Sequence, residues 1–490
     1  MTTIKDRGQF FGILNLMNKN RFELHEERLA TTDESGHRVY LYPEDVKGKW
    51  KDKRQLFFWF LIFLYMVVPW IHFKGKQIIL LDIPKREFVF FGSTFYGHDA
   101  PMLVLVLLGF VFTLGFITSI WGRVWCGWAC PQTVFIDAIY RKIERFIEGK
   151  ARARKELDQA PWTLSKILKK SLKWTLYIIV SLHISHSFIG YFVGARELFS
   201  ITLNPPAEHM HLFITMLVIT GIIILDFGWF REQFCIIACP YGRFQSVMMD
   251  QSSLVVGYDA KRGEPRRSAE VPKENEGDCI NCYHCVKVCP TGIDIRRGTQ
   301  LECIACTNCI DACDEVMIKV GKPTGLIRYD SELGFEGKEK KTFHLRSAIY
   351  LTLIFAIATT FVFVLSKSAD LRVTFLRGSH SPFQRIEREG NPDEIVNHYK
   401  LTFDYTGTAP INLSIRAVNS DLADKINIVM PQNPTFIKDG HTKGNVFFRF
   451  SQDVLDHGSL TFPVELIDVQ ENGIIKVIEK RDIKLVGPLE

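Results

Sequence analysis

Residues 279–290 read CINCYHCVKVCP, and residues 303–317 read CIACTNCIDACDEVM. Each contains Cys-x2-Cys-x2-Cys-x3-Cys, the spacing of a ferredoxin that carries two [4Fe–4S] clusters. Three closely spaced thiolates wrap one corner of a cubane, and the fourth ligand comes from the other run. The expected ligand sets are Cys279, Cys282, Cys285 and Cys313 for one cluster, and Cys289, Cys303, Cys306 and Cys309 for the other. Structural zinc is the competing reading. Zinc sites pair two Cys-x2-Cys units across a longer gap and have no use for the third cysteine of each run. Asp314 stands where the first run has Pro290, an acidic neighbour able to lower that cluster's potential.

Working upstream, the other four cysteines lie in two matched motifs: WCGWACP at residues 125–131 and FCIIACP at residues 234–240. Arg123 and Arg231 stand shortly before them, so the two halves of this region read as related repeats. If helical, Cys126 and Cys130 share one face, as do Cys235 and Cys239, and four thiols can converge on one metal. Soft thiolates favour Cu(I), zinc or another iron–sulfur cluster. A dithiol–disulfide switch and plain packing remain open. All twelve cysteines fall within Cys126–Cys313 in short-spaced groups, which argues for metal ligation on a reducing face rather than a secreted disulfide scaffold.

These motifs follow apolar stretches. Leu56–Phe73, Met102–Ile120, Trp174–Val193, Leu212–Phe230 and Ala348–Leu365 each approach the roughly 20 helical residues that cross a bilayer. Hydrophobic residues make up 47% and charged residues 23% of the 490-residue chain, averages that hide this alternation. Arg141, Lys142, Arg145, Lys150, Arg152, Arg154, Lys155, Lys166, Lys169 and Lys170 crowd one loop, and Lys47–Arg54 precede the first stretch. Gly194–His211 holds Arg196 alone. The positive-inside rule then puts the N-terminus and the cluster-bearing segment in the cytoplasm and the C-terminus outside. The net charge of +6 clusters beside apolar stretches, which fits membrane topology and argues against a nucleic-acid partner. The N-terminal apolar run Phe10–Leu16 is too short for a signal peptide and reads as retained.

The tail has no cysteine. Val373–Leu376, His398–Asp404, Ile411–Ala417, Ile426–Val429, Asn445–Phe450, Ser459–Leu466 and Ile474–Ile478 read as short strands separated by turn residues, which suggests an immunoglobulin-like β-sandwich. The expected organisation is a cytoplasmic segment (1–54), a membrane domain with four spans (55–250), a two-cluster ferredoxin-like domain (251–342), a fifth span (343–366) and an outer immunoglobulin-like β domain (367–490). Other polar residues invite roles. His183 and His186, one helical turn apart inside a span, suit haem or metal ligation, proton relay or packing. His209, Met210 and His211 form a weak copper set at an outer span mouth, and Asp226 suits a pairing with Arg231 or a proton relay.

The order of these features resembles the FixG/RdxA (CcoG) family of cytochrome c oxidase accessory proteins. The resemblance rests on two membrane Cys-x3-Cys-Pro motifs, CIACTNCIDACDEVM with Asp314, and GKPTGLIRYD at residues 321–330, and it spans nearly the whole chain. It implies a bacterial inner-membrane protein that reduces Cu(II) to Cu(I) during assembly of cbb3-type oxidases. Its partners would be membrane lipid, oxidase assembly factors or a copper chaperone, and a cytoplasmic electron donor. Cys126, Cys130, Cys235 and Cys239 would then handle copper as substrate or transient ligand. Alternatives are a polyferredoxin-type subunit that passes electrons from quinol or a cytoplasmic donor, and an oxidase assembly scaffold. No Gly-rich dinucleotide fingerprint marks a nicotinamide or flavin site.

Overall fold

The structure, a computed structural model, describes residues 31–488 except 33–34, 36, 74, 97–99, 269–271, 339–344, 368–370, 379–380, 387–393, 406–409, 419, 432–434, 438–439 and 471–474. Phe10–Leu16 and most of the expected N-terminal segment lie outside the described residues. The chain divides into two compact units, Met1–Gly92 with Ala100–Phe361, and Ser93–Asp99 with Val362–Glu490.

Among the described residues, four helices are long and apolar enough to cross a membrane: Leu345–Val364, whose last three residues fall in the second unit, and, wholly in the first unit, Pro101–Trp121, Leu164–Val193 and Pro206–Phe230. They arise where uncharged, branched and aromatic residues run on without breakers, and large side chains such as Leu107, Phe110, Ile222 and Phe355 stay exposed. Such exposure suits a hydrocarbon solvent and not water. The helix expected at Trp174 begins earlier, at Leu164, where the Thr163 hydroxyl accepts the backbone N–H of Lys166. The first expected span differs. Leu56–Phe73 falls in a helix, Lys49–Val67, whose first two turns carry Lys49, Lys51, Asp52, Lys53 and Arg54. A 3-10 turn and a strand at His72–Phe73 follow it. Arg54 reaches the Cys306 carbonyl and Asn308 of the ferredoxin segment while Lys51 pairs with Asp137, so the apolar part of this helix starts late and is shorter than the other four helices.

The ferredoxin segment packs within the same unit, around Val256, Tyr258, Ile293, Ile295, Ile310, Met317 and Ile327 together with its cysteines. Strands Val255–Tyr258 and Ile327–Asp330 pair antiparallel and close it on one side.

The second unit is two antiparallel sheets. One has the order Ile426–Val429, Gly440–Ser451, Glu394–Tyr405, Leu371–Arg377, with Gln384–Ile386 also paired to Glu394–Tyr405. The other has the order Thr435–Ile437, Ile411–Ala417, Ser459–Val469, Ile475–Val486. Six of the expected runs lie in strands, and the described part of the seventh, from Ile475 on, does too. Alternation supplies the core. Val446, Phe448 and Phe450 from one sheet and Phe462, Val464 and Leu466 from the other are buried at every second position.

Candidate redox site

The two cysteine runs fold alike. In each, the residues flanking the middle cysteine take the left-handed region: Asn281 (φ 58°) and Tyr283 (φ 57°) around Cys282, and Ala305 (φ 53°) and Thr307 (φ 65°) around Cys306. Non-glycine residues adopt this conformation at a cost, and here four do so at equivalent positions. The effect is a loop that curls three cysteines around one concavity. One such concavity is lined by Cys279, Cys282, Cys285 and Cys313, with Tyr258, Met317 and Leu326 behind them. The other is lined by Cys289, Cys303, Cys306 and Cys309, with Cys285 at its edge. The residues present therefore fit two cubanes in the crossed arrangement. Burial pushes the free thiols of Cys285, Cys303 and Cys313 up to about 12 and that of Cys289 to about 11, so ligation, which needs thiolates, releases protons. Asp314 sits beside Cys313 but is tied down, its carboxylate accepting the Gly325 N–H at 2.8 Å.

The Cys-x3-Cys-Pro motifs are also alike, and differ from the expected continuous helix. The helix Val124–Trp128 and the wide-turn segment Phe234–Ala238 both stop short of the second cysteine. Cys130 (φ −64°, ψ 127°) and Cys239 (φ −74°, ψ 110°) are extended, and a proline follows each as the first residue of a new helix. The Cys130 N–H donates to the Trp125 carbonyl and the Cys239 N–H to the Phe234 carbonyl, both at 2.8 Å. The four thiols are half-buried, unpaired and mutually close enough to interact electrostatically. Burial first, and then the neighbouring thiols, push Cys126 up to about 12 and Cys235 higher still. Among the described residues, however, no three His, Cys, Asp or Glu side chains gather as tightly as a single metal ion requires.

The first motif is pressed against the ferredoxin. A Cβ on Gly127 would lie 2.6 Å from the Ile304 carbonyl oxygen and 2.5 Å from that of Ala305, inside the ligand loop of Cys303 and Cys306. Only glycine permits that approach. Arg123 bonds the carbonyls of Leu301 and Cys303 on this loop and that of Gly242 beside the second motif. Trp128 Nε1 donates to the Tyr329 hydroxyl at 3.3 Å, which in turn donates to the Ala305 carbonyl at 3.1 Å.

Residues 230–332 match the family described as a 4Fe–4S dicluster domain, and residues 102–151 match the one described as a 4Fe–4S binding domain. Protein RdxB of Cereibacter sphaeroides is 39% identical over 69% of this chain and 74% of its own length. Protein RdxA of the same organism is 36% identical over 69% of this chain and 75% of its own. The chain belongs to the FixG/RdxA family. CcoG is of the same family, and the nitrogen fixation protein FixG of Rhizobium meliloti is 39% identical over 59% of this chain and 56% of its own length. The crystal structure of a FixG-related protein from Vibrio parahaemolyticus overlaps 25% of this chain at 12% identity and a TM-score of 0.18, too low to carry a fold argument. Iron–sulfur electron transfer is the function that membership and the domain matches support.

Several residues of this FixG/RdxA chain were not legible as functional. Asp311, the acid of the IDAC run, accepts the backbone N–H groups of Trp50 and Lys51 at 3.2 and 2.7 Å, and so caps the helix Lys49–Val67 from another segment. Gly48 leaves room for that carboxylate. The buried Arg54 reaches the Cys306 carbonyl, Asn308 and, at 2.5 Å, Asp137. Burial alone would raise the Asp137 carboxyl, but Lys51, Arg54 and Arg141 hold it well below the usual carboxylate range. Asp226 does not pair with the Arg231 side chain. It accepts from Gln132 at 2.8 Å, while Arg231 turns to the buried Glu144, donating to its two oxygens at 2.5 and 3.1 Å. His183 is exposed and His186 half-buried on their helix. His209 and His211 lie with ring centres 6.5 Å apart, with Met210 exposed between them in sequence, and neither histidine pair joins a group of three His, Cys, Asp or Glu side chains among the described residues.

Proposed function

We propose that this chain is a membrane-bound iron–sulfur oxidoreductase that reduces Cu(II) to Cu(I), with electrons leaving through the four-cysteine site. The carrying observation is the contact of Gly127 with the Ile304–Ala305 loop, which brings Cys126 and the ligand loop of Cys303 and Cys306 together with no side chain between the backbones. Eight cysteines would hold the clusters: Cys279, Cys282, Cys285 and Cys313 in one concavity, and Cys289, Cys303, Cys306 and Cys309 in the other. Bound there, [4Fe–4S] clusters supply single electrons, the stoichiometry that Cu(II) reduction needs. Arg123 and Arg54 set cationic charge against the Cys303 and Cys306 side of the ferredoxin, and Asp311 fixes its docking on the first helix. The ferredoxin is assigned to the cytoplasmic side and the tail to the periplasm on the distribution of Lys and Arg. The helix Lys49–Val67 is assigned as a fifth, shorter span. An immunoglobulin-like tail is supported by its sheet order, which follows A-B-E-D on one sheet and C-F-G on the other. Oxidase assembly is the proposed setting, and one relative's name ties that relative to nitrogen fixation.

Replacing Cys126, Cys130, Cys235 and Cys239 with Ser is expected to abolish Cu(II) reduction while the ferredoxin absorbance persists. Undiminished reduction overturns the site assignment. A quinol-oxidising role has one observation in its favour: an apolar groove of about 850 Å³ beside the first motif, lined by Leu56, Phe57, Phe60, Ile117, Trp125 and Trp128. Reduction of the clusters by quinol in copper-free membranes would favour that reading.

A further inference from the structure

The four membrane-edge cysteines carry more than an exit for electrons. We propose that Cys126, Cys130, Cys235 and Cys239 together hold a third [4Fe–4S] cluster, two ligands from each motif. The inference deepens the electron-transfer reading above and rests on it.

Four independent features point to a cubane rather than a single ion. Residues 102–151 match a 4Fe–4S binding family although this stretch contains two cysteines, Cys126 and Cys130. A [4Fe–4S] cluster takes four thiolates, so the missing pair must come from elsewhere. The thiols in electrostatic reach are Cys235 and Cys239. Next, the two motifs present their pairs on the same backbone, with matched 2.8 Å hydrogen bonds behind Cys130 and Cys239. The ferredoxin concavities are likewise built from two equivalent runs.

The thiols also interact without any three of them gathering around one point, and this holds for the eight ferredoxin cysteines as well. A cubane produces that arrangement because it places each thiolate on a separate iron. Finally, the surroundings donate. The backbone N–H groups of Gln132 and Thr133 point to the Cys130 sulfur. Gln245, fully buried, accepts from the Cys126 thiol at 3.1 Å through Oε1, while its Nε2 has no hydrogen-bond partner beyond the nearby Tyr241 hydroxyl. Turning that amide over would aim its N–H at a thiolate or sulfide. Arg123, beside both Cys126 and Cys303, supplies cationic charge between this site and the ferredoxin.

The test is iron and acid-labile sulfide analysis of the full-length protein, purified anaerobically in detergent, with EPR of the reduced form. Wild type is expected to hold about 12 iron atoms and about 12 sulfides per chain. The double variant Cys126→Ala/Cys239→Ala is expected to hold about 8 of each with the ferredoxin signals intact. About 8 irons in wild type overturns the proposal, as does an unchanged count in the variant. If the variant fails to fold, the wild-type count still decides. An eight-iron chain that reduces Cu(II) removes this inference alone, and a twelve-iron chain that does not removes only the copper reading.

Discussion

The two Cys-x3-Cys-Pro motifs share a backbone and part company in what they touch. Gly127 in the first corresponds to Ile236 in the second, and Trp128 corresponds to Ile237, which is 48% exposed. The first motif uses its missing side chain to meet the Ile304–Ala305 loop, and its arginine, Arg123, reaches the same loop. The second motif's arginine, Arg231, is instead locked to Glu144. One backbone arrangement thus serves two different sets of neighbours. One copy faces the ferredoxin, and the other completes the thiol set and anchors itself in a buried ion network.

The largest effect that would break this comparison is expected at the docking network under the first motif. Asp137→Asn leaves Arg54 and Lys51 buried beside a neutral partner, and losing one member of such a buried pair costs about 3–5 kcal/mol. Denaturant unfolding of the detergent-solubilised protein checks it. Gly127→Ile, which copies the second motif into the first, pushes the two backbones apart by roughly 1 Å or more. It is expected to slow Cu(II) reduction severalfold while the ferredoxin EPR signals remain.

Acid provides a milder probe. Asp137 and Glu144 both lie below the usual carboxylate range when folded, each held there by buried cations against the effect of burial. Their stabilisation is complete above the unfolded carboxylate values and is lost as pH falls below about 4 toward the folded ones. Thermal melts should therefore be flat near neutrality and drop only in acid, and Asp137→Asn should flatten that drop. The reciprocal swap, Ile236→Gly, is expected to do least. It removes about 1 kcal/mol of stability through backbone freedom and leaves the rate of Cu(II) reduction unchanged.

Much of this was legible in the sequence, for physical reasons that also explain what was not. The eight ferredoxin cysteines announce themselves because cubane geometry dictates their spacing, and four spans do so because hydrocarbon forbids charge. The tail's strands follow from alternation. The first helix was legible only in its apolar part from Leu56, whereas the charged turns Lys49–Arg54 belong to the same helix and find their partners in segments distant in sequence. Gly127 looked like one glycine among many, since a close approach between distant segments leaves no local mark. Its only signal was the contrast with Ile236 in the matched motif. Asp311 and Asp137 gave no signal either, because their partners lie far away in sequence. Of the left-handed residues flanking Cys282 and Cys306, Asn281 is of a type that favours that conformation, whereas Tyr283, Ala305 and Thr307 give no sign of it.

The central claim is that electrons cross from the ferredoxin to the first motif at the Gly127 contact. The direct measurement is stopped-flow reoxidation of the dithionite-reduced protein by Cu(II), followed through the iron–sulfur absorbance, in wild type and in Gly127→Ile. Fast reoxidation in wild type and slow reoxidation in the variant, at equal ferredoxin content, is the predicted result. Equal rates in the two proteins would contradict it.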